Sequence, residues 1–243
     1  MKMSLDKDPT KINTIAIVTF SRADLLRRWI ESILEAHEHD KFQKILVQQV
    51  GRADVDEVVR DFAHHFDIVI RVNGAHRNTI QNISFNRFLA MDIGFNTYGS
   101  DAVLNLEEDV LISKDALSFI LEMQKSYWGQ KRLRGVNLGS IETGESISSS
   151  GYSEIRFGVQ GPAFMLTKQT WYNSKLENLR DSNYASLYDG FLESWVKSGF
   201  MATPNLSRFR DLGVGGTHTP INHDDPYFKL MEASFNQVVN TDR

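Results

Sequence analysis

The feature that most narrows the possible folds is an alternation that runs through the first 110 residues. Short β-branched runs take turns with longer stretches whose apolar residues recur at helical spacing. Asn13–Phe20 has the pattern of a buried strand and ends at Ser21. Ala23–Glu38 follows, with Leu25, Leu26, Trp29, Ile30, Ile33 and Leu34 on one helical stripe. Lys44–Gln48 predicts a second strand, and Asp54–Phe66 a second helix whose early acids suit its N-terminus. Asp67–Val72 predicts a third strand, Asn78–Phe95 a third helix and Ala102–Leu106 a fourth strand. Strands separated by helices are joined by crossovers. The expected fold class is therefore α/β, with a mostly parallel central sheet flanked by helices on both faces.

The second half changes character. Gly135–Gly139 reads as a short strand, Glu142–Tyr152 as a Ser- and Gly-rich surface loop, and Phe157–Thr167 as a strand interrupted at Gly161-Pro162. Lys168–Leu176 and Tyr188–Ser198 read as helices. Arg210–Pro220 holds Gly213, Gly215, Gly216 and His218, the composition of a flexible loop. Neither repeats nor a linker divide the chain, so 1–243 is expected to be a single domain.

Composition removes several classes of function. With 41% apolar and 24% charged residues, the 243-residue chain has the profile of a folded globule with a sizeable core. It has no cysteine, which excludes thiolate zinc sites, a cysteine nucleophile and iron–sulfur ligation. A net charge of −4 gives no general attraction to nucleic acid, although a local basic pocket for phosphate stays open. Met1–Lys11 is polar and charged, and the longest apolar runs, such as Ile15–Phe20, are strand-sized. Neither a signal peptide nor a transmembrane segment is expected, and the location read from this is cytoplasmic.

The strongest chemical signal is Val103-Leu-Asn-Leu-Glu-Glu-Asp-Val-Leu-Ile-Ser113, a hydrophobic strand that ends in three consecutive carboxylates. Ligands of parallel α/β sheets sit at the carboxyl ends of strands. Three acids there repel one another unless a cation or hydrogen bonds compensate, and Mg²⁺ or Mn²⁺ prefers carboxylate oxygens. The plain alternative is a solvated acidic turn that caps the next helix through Asp109 or Ser113.

Ile15-Ala-Ile-Val-Thr-Phe-Ser-Arg-Ala-Asp-Leu-Leu-Arg-Arg-Trp-Ile-Glu-Ser-Ile-Leu34 resembles the opening strand and helix of GT-A nucleotide-sugar glycosyltransferases. Leu106-Glu-Glu-Asp-Val-Leu-Ile-Ser-Lys-Asp-Ala-Leu-Ser-Phe119 resembles the acidic metal motif of the N-acetylglucosaminyltransferase I type. Gly161–Trp171, Tyr188–Trp195, Pro204–Arg208 and Gly213–His218 resemble later segments of that family, in its order. The resemblance spans residues 13 to 220 and departs from the family at three places. Glu108 stands for an Asp, Gly190 stands for the second Asp of Trp-Asp-Asp-Trp, and Gln48-Gln49 stand where the family carries a nucleoside-binding Asp. No counterpart of the family's membrane anchor and stem is expected from these 243 residues.

The resemblance implies a GT-A (Rossmann-like) fold with a smaller acceptor-side subregion. Residues 13–110 would form the nucleotide-sugar-binding half and 111–220 the acceptor half, with 221–243 a C-terminal tail. It implies a metal-dependent, inverting hexosyl- or N-acetylhexosaminyltransferase that uses Mn²⁺ or Mg²⁺. The donor would be a nucleotide-diphosphate sugar, a UDP-sugar by family habit, and the acceptor a hydroxyl of a carbohydrate or other molecule. Asp109 is the implied metal ligand, with Glu107 and Glu108 beside the donor sugar or ribose. Thr19 and Phe20 would line the nucleoside pocket, Arg22 and Arg208 would meet the diphosphate, and His218 would either ligate the metal or contact the diphosphate from a closing loop. Asn86-Arg87 would approach the donor from the third helix. Asp189 is the implied general base, and Glu193, four residues later, is its rival. Trp171, Tyr172, Tyr184, Tyr188 and Trp195 are open between a sugar platform and core packing. Two other functions share this outline. A sugar-phosphate nucleotidyltransferase would carry a glycine-rich basic loop after the first strand, which Phe20–Asp24 lacks. A non-catalytic nucleotide- or carbohydrate-binding domain would keep the fold without turnover.

Overall fold

The computed structural model describes residues 13–127, 130–140, 151–155, 162–174, 183–184, 199–213 and 225–241. The alternation read from the sequence is realised as β1 (Asn13–Thr19), α1 (Ala23–Glu35), β2 (Phe42–Gln49), α2 (Ala53–Phe62), β3 (Ile68–Val72), α3 (Thr79–Asp92) and β4 (Ala102–Glu107). The chain continues through β5 (Val110–Ile112), α4 (Ala116–Tyr127), β6 (Leu133–Asn137), β7 (Tyr152–Ile155), β8 (Ala163–Thr167), α5 (Lys168–Asn173), β9 (Phe200–Pro204) and β10 (Phe209–Asp211). A helix here called α6 (Pro226–Thr241) stands where a tail was expected, with Phe228, Met231, Phe235 and Val238 buried.

The main sheet has the strand order β3-β2-β1-β4-β8-β6-β9-β7. β1 runs parallel to β2 and β4, and β2 parallel to β3. β8 is antiparallel to both β4 and β6, and β7 is antiparallel to β9. β5 and β10 leave this sheet and pair as a short antiparallel ribbon.

Side-chain alternation along β1 divides the core into two layers. Ile15 and Ile17 pack with Leu26, Trp29, Ile30 and Ile33 of α1. Ala16, with Ile45 and Val47 of β2, packs beneath Ala90 and Met91 of α3. A strand centre covered on both faces has no room for a polar alternation, which is why Ile15–Val18 and Ile45–Val47 read as unbroken apolar runs. The start of α3 is fixed locally. The Asn78 side chain accepts from the Gln81 N–H, and the Gln81 side chain accepts from the Asn78 N–H, each at 2.9 Å.

The chain lays β2 and β3 on one side of β1, then returns to place β4 on the other side. The carboxyl ends of β1 and β4 therefore flank the point where the winding reverses, the usual ligand crevice of an open α/β sheet.

Candidate active site

The acidic triplet sits at that reversal, and its three carboxylates face three different partners. Glu107, the last residue of β4, forms an ion pair with Arg87, which α3 brings over the sheet almost fully buried. Glu108 turns toward the end of β1. It accepts from the Thr19 hydroxyl at 2.5 Å, the Phe20 N–H at 2.7 Å and the Ser21 N–H at 3.3 Å. Asp109 pairs with Arg22, the residue before α1, with Nη1 and Oδ2 2.5 Å apart. The mutual repulsion anticipated from the sequence is thus offset by two arginines and by backbone N–H groups. Glu108 ties the β1–α1 loop to β4, which gives the middle acid a positioning role.

Asp109 is the carboxylate with a second acid beside it. β10 runs antiparallel to β5 and sets Asp211 opposite Val110, next to Asp109 in the chain. Burial and the neighbouring Asp109 charge push the Asp211 carboxyl up to about 6, against smaller lowering effects of the Gly213 N–H and Arg22. Sequence reasoning missed Asp211, because only the pairing of two three-residue strands brings it here. Asp211 also borders a cavity of about 150 Å³ between α1 and α6, lined by Leu25, Leu212, Phe228 and Met231 among others.

Gly213 lies over the ion pair. The Leu212 N–H donates to the Asp109 carbonyl at 2.8 Å, and the Gly213 N–H to Asp211 Oδ1 at 2.7 Å. A Cβ on Gly213 would stand 2.1 Å from Asp109 Oδ2 and 3.0 Å from Arg22 Nη1. Only a residue without a side chain can approach this carboxylate so closely.

Beside the site, at the ends of β1 and β2, a cleft is lined by Val18, Phe20, Gln49, Thr79, Asn82 and Asn86 among others. Phe20 is 44% exposed, an unusual place for a large aromatic ring. Asn86 Nδ2 donates to Gln49 Oε1 at 3.3 Å on the cleft wall. Gln48 points to the other face, where its Nε2 donates to Asp56 Oδ1 at 2.5 Å; Arg71 meets the same oxygen at 2.6 Å. The two glutamines expected at the nucleoside position are therefore separated, and only Gln49 reaches the cleft.

Of the other expected site residues, Arg208 is 2% exposed and faces inward. Its Nε donates to Asp115 at 3.1 Å, its Nη1 to the Leu206 carbonyl at 3.0 Å, and its guanidinium lies 4.2 Å over the Phe119 ring. Asn86 and Arg87, neighbours in sequence, serve the cleft and Glu107 respectively. Trp171 and Tyr184 are core residues. Trp171 stacks on Phe95, and Tyr184 packs edge-on against Phe85 and Phe88. Tyr172 is exposed, with its hydroxyl on Asn96 at 2.6 Å. Asp189, Glu193, Gly190, His218, Tyr188 and Trp195 lie outside the described residues.

Among the described residues, no group of three or more His, Asp or Glu side chains converges as a self-sufficient metal cage. Asp109 and Asp211, brought together by the β5–β10 pairing, supply two hard oxygen donors. One or two carboxylates suffice for Mg²⁺-type ions when substrate phosphates complete the shell, so the pair fits such an ion.

The sequence matches no protein-family model and no curated protein. The fold does match solved structures. A mannosyltransferase from Pyrobaculum calidifontis, solved with GDP-mannose and Mn²⁺, aligns with a TM-score of 0.51 at 14% identity. That alignment covers 85% of this chain and 61% of the other. TarS of S. aureus, residues 1–349 with UDP, aligns with a TM-score of 0.56 at 10% identity over 81% of this chain and 59% of that one. A second TarS structure gives 0.57 over 94% of this chain and 40% of that one. The chain thus spans about 60% of the first two proteins. What it has in common with the mannosyltransferase and with TarS is the fold, a large mostly parallel sheet flanked by helices.

Proposed function

We propose that this chain is a glycosyltransferase that moves a sugar from a nucleotide-diphosphate sugar to a hydroxyl acceptor, with Mn²⁺ or Mg²⁺ held at Asp109. The observation that carries this reading is the meeting of Asp109, Arg22 and Asp211 at the winding reversal between β1 and β4. The mannosyltransferase bound to GDP-mannose and Mn²⁺ and TarS bound to UDP support it through a common fold. UDP is the donor nucleotide that the family resemblance favours, and a hexose or N-acetylhexosamine its sugar.

In this reading the cleft beside Phe20 and Gln49 takes the nucleoside, with the Phe20 ring as a stacking face. The diphosphate lies over the start of α1, where Arg22 and the free N–H groups of the first turn favour anions. A divalent cation bound at Asp109 supplies neutralisation of the charge that develops on the departing nucleoside diphosphate. Glu108 and Arg87 keep the β1 loop and β4 aligned beneath it. The acceptor oxygen attacks the anomeric carbon as the bond from that carbon to the diphosphate oxygen breaks. The proton of the acceptor hydroxyl passes to Asp189, with Glu193 as the rival base. His218 would contact the diphosphate, and Arg208 ties the entry to β10 to the start of α4 through Asp115 and Phe119.

The test is release of nucleoside diphosphate from a panel of nucleotide sugars with Mn²⁺, with and without candidate acceptors. One donor turned over by the parent and not by Asp109→Asn is the expected result. Binding of nucleotide sugars with no turnover of any would assign the chain to a non-catalytic binding domain. Pyrophosphate release from a nucleoside triphosphate and a sugar phosphate would assign it to nucleotidyl transfer.

A further inference from the structure

We infer that Arg22 is a built-in countercation that guards Asp109 and makes metal binding conditional on the donor's diphosphate. This rests on the reading of Asp109 as the metal ligand. Arg22 Nη1 stands 2.5 Å from Asp109 Oδ2 and occupies the oxygen that a divalent cation would use. Gly213 packs against the same pair: a Cβ there would stand 2.1 Å from Oδ2 and 3.0 Å from Nη1, so only a glycine lets guanidinium and carboxylate meet at this point. A cation approaching Oδ2 therefore meets a guanidinium already seated there, and two positive charges cannot share one carboxylate oxygen without strong repulsion.

Arg22 is free to leave. Its side chain is 29% exposed, and Asp109 is its one hydrogen-bond partner among the described residues. It occupies the position just before α1, whose first-turn N–H groups receive no side-chain cap from it. An anion there gains both those groups and the guanidinium. A diphosphate thus offers Arg22 a stronger partner than Asp109, and its departure opens Oδ2 to the metal. Metal and diphosphate then favour each other through Arg22 as well as through direct contact, and the coupling is reciprocal. The consequence is that the donor-free protein does not hold a metal firmly.

The measurement is titration of Mn²⁺ alone, followed by loss of the free-ion electron paramagnetic resonance signal, then repeated with UDP and with GDP. The parent should bind Mn²⁺ alone weakly and bind it at least about fivefold more tightly with a nucleoside diphosphate present. Arg22→Gln should bind Mn²⁺ alone at least about fivefold more tightly than the parent, with a smaller gain on adding nucleotide. Arg22→Lys, which keeps the charge, should stay near the parent. Equal Mn²⁺ affinity in parent and Arg22→Gln, in a protein where Asp109→Asn still weakens the metal, would overturn the guarding role while leaving the metal site standing. No Mn²⁺ bound by parent or Arg22→Gln, with or without nucleotide, would overturn the metal reading and this inference together.

Discussion

Three adjacent acids have three separate fates here, set by what the neighbouring strand end presents to each. Glu107 meets Arg87, Glu108 meets the N–H groups after β1, and Asp109 meets Arg22. The triplet was legible in the sequence as a compensated acidic cluster at a strand end. Its division was not, because it depends on α3 and the β1 loop arriving from opposite sides. Asp211 makes its own test. Its carboxyl holds a proton up to about 6 in the folded chain against an ordinary value of 3.8, so the folded state binds more protons between those limits. Stability contributed by the protonated form is present below about pH 4 and is lost as pH rises through 6. Asp211→Asn, which keeps an oxygen for the Gly213 N–H, should therefore melt higher than the metal-free parent above pH 6. The difference should vanish near pH 4, and a pH-independent difference in thermal melts would contradict this origin. Gly213→Ala tests the clearance over Asp109. The added methyl overlaps Oδ2 and must displace it, so Mn²⁺ affinity in the presence of UDP or GDP should fall by about tenfold or more. Calorimetric titration would show it, and an unchanged affinity would mean that the carboxylate does not need that space.

α3 combines several tasks on one element. Its first turn is locked by the Asn78–Gln81 box, Asn86 reaches the cleft, and Arg87 reaches across to Glu107. Loss of the cap should loosen the whole group. Asn78→Ala is expected to cost about 1 kcal/mol and to lower the melting temperature by roughly 2–4 °C in a chain of this size. A melting temperature equal to the parent's would show that tertiary packing alone fixes the start of α3. The helices and strands of the first half were legible because each carries its own period. The β5–β10 ribbon was not, since three-residue strands leave no period to read. α6 was legible in principle. Phe228, Met231, Phe235 and Val238 recur at helical spacing and are the residues that it buries. The aromatic platform illustrates an ambiguity that sequence does not resolve. Trp171 and Tyr184 fill the layer beneath α3, and a core ring has the same local pattern as a ring that binds sugar.

At the scale of the whole molecule, winding order decides where chemistry can occur. The reversal between β1 and β4 opens one crevice at the carboxyl edge, and residues 19 to 22 and 107 to 109 of the chain meet there from its two sides. Among the described residues, no helix is long and apolar enough to cross a membrane. The second half of the chain follows the antiparallel β8 and β7, which the alternation of the first half does not foreshadow. The central claim is that the crevice is a metal-dependent site for a nucleotide-diphosphate sugar, centred on Asp109. Its most direct test is equilibrium binding of UDP and GDP with and without Mn²⁺, by calorimetric titration of the parent and Asp109→Asn. Mn²⁺ should tighten binding of one nucleotide at least about tenfold in the parent and leave Asp109→Asn unaffected. Nucleotide affinity that ignores Mn²⁺ in the parent, or that Mn²⁺ raises equally in Asp109→Asn, would contradict it.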